Sequence, residues 1–191
     1  MTFFETVKIQ KGEIQNLSFH NKRLNLTIKQ NFEIDAKIDL QEHVQQEDFS
    51  LERCKVIYEK SIKKIQFFPL IPRKFQSFKV LETNITYNFK NVDREDIELL
   101  MSQKGSCDDI IMIKEGLVTD TSIANIAIYD GVKWITPKKP LLKGTYRESL
   151  LKKQLLLEKD VKMKDIKNAV RFAIMNALVG FYEVKGVKLE F

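Results

Sequence analysis

Four residues in this sequence have types and settings that could do chemistry on a small charged molecule: Lys90 in FKNVDRED, Arg23 in HNKRLN, Asp120 in GLVTDTSIANIAI and Gly144 in TPKKPLLKGTYRESLL. Asp120 has the most unusual setting. The run Gly116 to Ile128 begins and ends like a buried strand, yet carries Thr119, Asp120, Thr121, Ser122 and Asn125 in between. A strand lining a cleft would use such a carboxylate to face a cationic ligand atom; a strand with one wet face would show the same residues as solvated alternation. Taken singly, the others are as open. Lys90 is one of many lysines, Arg23 suits a helix surface, and Gly144 suits a turn at the start of a helix.

Composition narrows what these residues could serve. The 191 residues are 43% hydrophobic and 30% charged, ordinary for a globular chain able to bury a core in one domain or in two small ones sharing a cleft. No apolar run is long enough for a membrane span, and MTFFETVKIQ lacks the basic and apolar segments of a secretory signal, so a cytoplasmic protein without membrane attachment is expected. Cys54 and Cys107, with His20 and His43, show no metal-ligand spacing, so neither a zinc site nor a disulfide scaffold is expected. The net charge of +6 is spread in ones and twos. Only SIKKIQFFPLIPRKFQSFK approaches a nucleic-acid-binding pattern, and it reads better as a strand and connection with solvated lysines. Such a surface would instead attract small anionic substrates and a phosphate-bearing cofactor.

The elements that must position the four residues form an α+β chain in two parts. FFETVKIQ, the Lys11-Gly12 turn and EIQNLSF read as a hairpin, and HNKRLNLTIKQ as a short helix from the spacing of Leu24 and Ile28. On this reading His20 precedes the helix as a structural or capping group. LERCKVIYEK, IKKIQFF and FKVLET read as strands, completing a small α/β domain over residues 1–82. NITYNFKNVD reads as a linker. A larger domain over residues 83–191 then runs helix (94–104), strands DDIIMIKEG, LVTDTSIANIAIYDG and KWITP, helix (145–158) and a closing RFAIMNALVGFYEVKGVKLEF, with a mixed sheet expected.

Five blocks, in this order and spacing, carry a resemblance: FETVKIQKGEIQNLSFHNKRLN, FKNVDRED, IIMIKEGLVTDTSIANIAI, WITPKKPLLKGTYR and FAIMNALVGFYEV. Together they resemble the fold type IV pyridoxal-phosphate enzymes, the class IV aminotransferase family. Within it they are most similar to the 4-amino-4-deoxychorismate lyases, toward which Asn176 to Leu178 and the strand after them lean. The resemblance implies a two-domain architecture: a small N-terminal α/β domain and a larger C-terminal mixed sheet, a pseudo-barrel, with helices. It also implies pyridoxal 5'-phosphate as cofactor and a homodimer.

Matched block by block, the family's roles fall on particular residues. Lys90 takes the place of the cofactor-binding, catalytic lysine, whose amine must be neutral part of the time to act as acid and base. Asp120 stands where the family has an acid opposite the pyridine nitrogen, keeping the ring protonated as an electron sink; the family's residue is usually Glu, one methylene longer. Arg23 matches the arginine at the phosphate, where a guanidinium can pair with two oxygens. Gly144 and Thr145 open a helix whose free N–H groups favour an anion, with Tyr146 in the same block. Asn176 and Ala177 are expected on the phosphate side, and Arg94 near the phenolic oxygen or the substrate.

The resemblance implies a lyase that yields p-aminobenzoate and pyruvate, as in folate biosynthesis. The alternatives are a class IV aminotransferase acting on branched-chain or D-amino acids, and a non-catalytic member acting as a binding protein, the latter suggested by the shortened first half. A transaminase must bind two substrate carboxylates in turn, and outside the assigned blocks only Arg53, Arg73 and Arg171 remain to do so.

Overall fold

A computed structural model describes residues 1–45 and 52–191, and the chain divides into two compact units. The first comprises Met1–Pro72 with Phe89–Asp93, and the second Arg73–Asn88 with Arg94–Phe191. The expected boundary at residue 82 therefore moves, and the stretch read as a linker is split. No helix among the described residues is long and apolar enough to cross a membrane.

In the first unit, β1 (Phe3–Gln10) turns through Lys11 and Gly12 into the two-residue β2 (Glu13–Ile14). Both turn residues have positive φ, as a two-residue hairpin loop requires. The second hairpin strand is shorter than EIQNLSF suggests, because Asn16 adopts a left-handed conformation and starts α1 (Leu17–Phe32). This helix is longer than expected and contains His20, which does not precede it. The short α2 (Leu40–His43), not expected from the sequence, follows. Next come β3 (Arg53–Tyr58) and β4 (Ile62–Phe68); the first residue of LERCKVIYEK, Leu51, lies outside the described residues. The antiparallel order is β2-β1-β3-β4. Period-two alternation puts Phe3, Val7 and Ile9 of β1 on one face with Cys54, Val56 and Tyr58 of β3, and Leu24 and Ile28 of α1 complete that core.

The second unit is built around a nine-stranded mixed sheet. Its first strand is β5 (Ser77–Glu82), which was expected in the first domain; it pairs in parallel with β6 (Asp109–Lys114), and this ladder decides its allegiance. Between them lies α3 (Glu95–Ser102). The stretch read as one strand is two, β7 (Leu117–Thr121) and β8 (Asn125–Tyr129), reversed through residues 122–124. Then come β9 (Trp134–Pro137), α4 (Thr145–Lys152) and β10 (Leu157–Lys159). The helix stops short of residue 158 because Gln154 takes a positive φ and the residues beyond pair in parallel with β9. The chain closes with α5 (Met163–Lys167), also not expected, then β11 (Arg171–Asn176), β12 (Gly180–Glu183) and β13 (Lys188–Glu190).

Strand β8 is the hub. Its residues pair with β11 along one edge, while β7, at Asn125, and β9, at Ile128 and Tyr129, share the other. Alternation then sorts the central strands between two sides. Ile111, Ile113, Ile126, Ile128, Phe172 and Ile174 enter the main apolar cluster, while Ala127, Ala173 and Met175 pack with Tyr146, Leu150 and Leu151 of α4. Ile126 is fully buried at the centre of this arrangement. Ile126→Ala is expected to cost about 2–5 kcal/mol of stability, through lost transfer energy and the cavity left behind, read as a lower denaturant midpoint.

Candidate functional site

In the first unit, a carboxylate occupies a core position. Glu5 lies on β1 between Phe3 and Val7, on the face that alternation assigns to apolar residues, and is fully buried. Such a charge persists only if paired. Helix α1 supplies the partners from successive turns: Arg23 forks onto it with Nε at 2.8 Å and Nη2 at 2.6 Å, and His20 Nδ1 lies 2.6 Å from Oε2. Burial by itself would raise the Glu5 carboxyl, but the Arg23 charge and the His20 and Arg23 hydrogen bonds outweigh it and hold it at about 2. Burial lowers His20, and the charges of Arg23 and Lys90 lower it further against the pull of Glu5. A neutral His20 then serves Glu5 as a hydrogen-bond donor.

Lys90 lies on the segment by which the chain returns to this unit. Its carbonyl accepts the Phe4 N–H at 2.9 Å, Asn91 bridges to Phe3, and the Val92 N–H donates to the Thr2 carbonyl. Backbone pairing to β1 thus fixes the lysine. Its amine lies 4.5 Å from the centroid of the Phe4 ring, a cation–π distance. Lys90 is half-buried, and its charge is felt at His20.

In the second unit, the polar interruption of β7 has a structural cause. The β6–β7 register is irregular: Ile113 faces Val118 and Ile111 faces Thr121, so two residues of one strand span three of the other. A bulge of this kind re-aims side chains. Thr119 donates its hydroxyl to the Met112 carbonyl, and Asp120 pairs across the strands with Asn125. Asp120 is buried, and both its oxygens accept bonds: Oδ1 from Asn125 Nδ2 at 2.6 Å and Oδ2 from the Leu142 N–H at 2.9 Å. Desolvation dominates over these bonds and pushes the carboxyl up to about 6.

Asn125 completes the arrangement. Its Nδ2 also donates to the Leu142 carbonyl at 2.8 Å, and its Oδ1 accepts the Gly144 N–H at 3.1 Å. Gly144 precedes α4 with an extended backbone (φ −68°, ψ 139°) that any residue adopts, so its glycine character answers another need. A Cβ there would stand 2.1 Å from Asn125 Oδ1. The Gly144 N–H expected to face an anion is thus engaged by Asn125.

The remaining sequence candidates are placed as follows. The side chain of Asn176 builds its own turn, accepting the N–H groups of Leu178 and Val179 and donating to the Ile123 carbonyl, with Ala177 inside that turn. The Tyr146 hydroxyl lies 3.5 Å from where a Cβ of Gly180 would stand. Arg94 directly precedes α3, donates Nη2 to the Ser122 carbonyl at 2.6 Å and lies over the Tyr87 ring. Ser122 is gripped from its other side by Asp109, a buried carboxylate that accepts the Ser122 N–H and whose acidity burial weakens. Sequence reasoning missed Glu5, Asn125 and Asp109 as site-building residues. A signal existed for Glu5 in the alternation Phe3, Glu5, Val7, Ile9, which puts an acid on an apolar face.

This two-part α+β architecture, with a helix-borne arginine and a half-buried lysine in one unit and an acid-lined loop before a helix in the other, defines a class. The family model described as amino-transferase class IV matches residues 84–187. A crystal structure from Haemophilus somnus 129PT, named a "putative 4-amino-4-deoxychorismate lyase", matches with a TM-score of 0.85 and 30% identity, over 94% of this chain and 97% of that one. An uncharacterized protein of Haemophilus influenzae is 36% identical over 186 residues, 93% of this chain and 97% of that protein. A hypothetical aminotransferase of Mycobacterium tuberculosis, solved in a PLP-bound form, shares the fold at 16% identity and a TM-score of 0.78. This chain belongs to the amino-transferase class IV family.

The donor chemistry fits pyridoxal phosphate within each unit. The first carries an amine and a guanidinium held by a buried acid; the second carries a buried acid and a helix start without a side-chain cap.

The two buried acids give opposite pH dependence. Glu5, lowered from 4.5 to about 2, contributes stability that is full above the unfolded value and lost as pH falls through that window. Asp120, raised from 3.8 to about 6, favours the folded state when protonated, so its contribution declines as pH rises through that window. Each is worth on the order of 3 kcal/mol by linkage. Unfolding midpoints measured against pH should lose the acid-side fall in Glu5→Gln and the fall between about pH 4 and 6 in Asp120→Asn. At neutral pH, Glu5→Gln should also be less stable by about 3–5 kcal/mol, because it strands the Arg23 charge.

Proposed function

We propose that this protein is a pyridoxal-phosphate-dependent lyase that converts 4-amino-4-deoxychorismate to p-aminobenzoate and pyruvate. The observation that carries the reading is the match to the Haemophilus somnus structure, which is named for that activity and of which this chain covers 97%. The short first half, which suggested a non-catalytic binding protein, is therefore shared with that chain. A homodimer working in the cytoplasm on an anionic substrate of folate biosynthesis belongs to the same reading.

In this reading Lys90 binds the cofactor and moves the protons. Backbone pairing to β1 fixes the segment that carries it, and its amine lies over the Phe4 ring, so the lysine is held in place for acid–base work. Arg23 binds the phosphate, its guanidinium oriented by Glu5. In the second unit the first turn of α4, at Thr145 and Tyr146, is suited to an anion, with Gly144, Asn176 and Ala177 shaping the turns of that unit. Asp120 faces the ring nitrogen and, with burial pushing its carboxyl up to about 6, is poised to share a proton there. Arg94 orders the Ser122 turn beside it. When bound, the cofactor supplies an electron sink for the pair left as a proton departs. Lys90 takes that proton from the ring carbon bearing the substrate's amino group. Cleavage of the ether bond then leaves the ring aromatic, and Lys90 returns a proton to the methylene carbon of the departing enolpyruvate, giving pyruvate.

Purified protein incubated with 4-amino-4-deoxychorismate should release pyruvate and p-aminobenzoate in equal amounts. Glutamate formed from 2-oxoglutarate and a branched-chain or D-amino acid would identify an aminotransferase instead. Lys90→Ala should abolish activity and the cofactor's visible absorbance together; an active Lys90→Ala protein would refute the assignment. A parent protein that takes up no pyridoxal phosphate would support the non-catalytic reading.

A further inference from the structure

Asn125 has no role in the chemistry described above, yet three hydrogen bonds converge on its side chain. It holds Asp120 at 2.6 Å, the Leu142 carbonyl at 2.8 Å and the Gly144 N–H at 3.1 Å. With the Asp120 bond to the Leu142 N–H, both polar groups of the Leu142 peptide unit's residue and the amide of Gly144 are fastened to one strand pair. The loop that delivers the chain to α4 is thereby clamped at its last turn.

Gly144 shows that this clamp dictates sequence. Its backbone is unstrained for any residue, but a Cβ would collide with Asn125 Oδ1. The glycine is there to admit the amide. It also leaves α4 without a side-chain cap, so the N-cap residue itself offers no acceptor to the first-turn N–H groups. A helix optimised for stability alone would carry Ser, Thr, Asp or Asn at that point. Here the side-chain cap is given up for a rigid approach to the helix start.

We propose that Asn125 is a positioning residue: by holding Leu142 and Gly144 it fixes the direction in which the first turn of α4 is presented to the phosphate of the cofactor. This rests on the cofactor reading above. Asn125 itself touches no ligand. It acts through Gly144 and Leu142, and it ties the acid assigned to the ring nitrogen to the loop assigned to the phosphate.

The test compares two ligands that differ only in the phosphate. Apo forms of the parent, Asn125→Ala and Gly144→Ala are titrated with pyridoxal phosphate and with pyridoxal, following absorbance, and their thermal midpoints are recorded. Both variants should lose at least about tenfold more affinity for pyridoxal phosphate than for pyridoxal, whose binding registers only the Asn125 bond to Asp120. Equal weakening toward both ligands would make Asn125 a merely structural residue and overturn the proposal, as would unchanged affinity. If Asn125→Ala does not fold, Gly144→Ala decides, since it disturbs the same contact from the loop side with a backbone that accepts alanine. A parent that binds neither ligand would overturn the cofactor reading and this inference together, whereas a parent that binds both with equal losses in the variants overturns this inference alone.

Discussion

A carboxylate removed from water must be paired with a cation, bonded by donors or protonated, and this chain buries acids at the points on which its candidate site depends. The cost of leaving one uncompensated is several kcal/mol, comparable to a large part of a domain's whole stability. The two units meet the requirement differently. Glu5 is held ionised by the Arg23 fork and the His20 bond. Asp120 accepts a side-chain amide and a backbone N–H, with no cation in hydrogen-bond contact among the described residues, and burial lifts it to about 6. One acid is therefore a fixed charge that orients a guanidinium. The other is a group close to its titration point.

Each solution constrains the backbone around it. Glu5 can sit on the core face of β1 only because α1 crosses that face with His20, Arg23 and Leu24 in register, so the helix that supplies apolar packing also supplies the counter-charge. Asp120 can meet the loop before α4 only because the β6–β7 register slips by a residue, and the loop can meet Asn125 only because residue 144 lacks a Cβ. These are local departures from regular strand and cap chemistry, and such departures gather where function outranks stability.

Much of the architecture was legible in the residues. Runs of β-branched and aromatic residues between turn signals identified β1, β3, β4, β6 and β9, and the Lys11-Gly12 pair located the first turn, because such composition marks a strand without help from distant contacts. The misreadings share a cause. The run from 117 to 129 is apolar at both ends and was read as one strand; the reversal at 122–124 is held by the Thr121 hydroxyl and by the Asp109 and Arg94 grip on Ser122, groups distant in sequence. Strand β5 was given to the first half because it follows β4, but its hydrogen bonds go to β6 and β13. Helix α4 was drawn too long because Leu155 to Glu158 continue a helical composition, while Leu157 and Glu158 in fact pair with β9.

By itself the sequence determined the class of chain, α+β with a basic, metal-poor composition, and the chemical types at its marked positions: an amine at 90, a guanidinium at 23, an acid at 120 and a glycine before a helix at 144. Residue types and local periods are properties of short segments, so they can be read without a fold. Only the tertiary structure decided that Lys90 is anchored to β1, that Arg23 leans on Glu5, and that Asn125 joins Asp120 to the loop at Gly144. Those facts depend on which strands pair and in what register, and hydrogen-bond partners tens of residues apart leave no periodic trace along the chain.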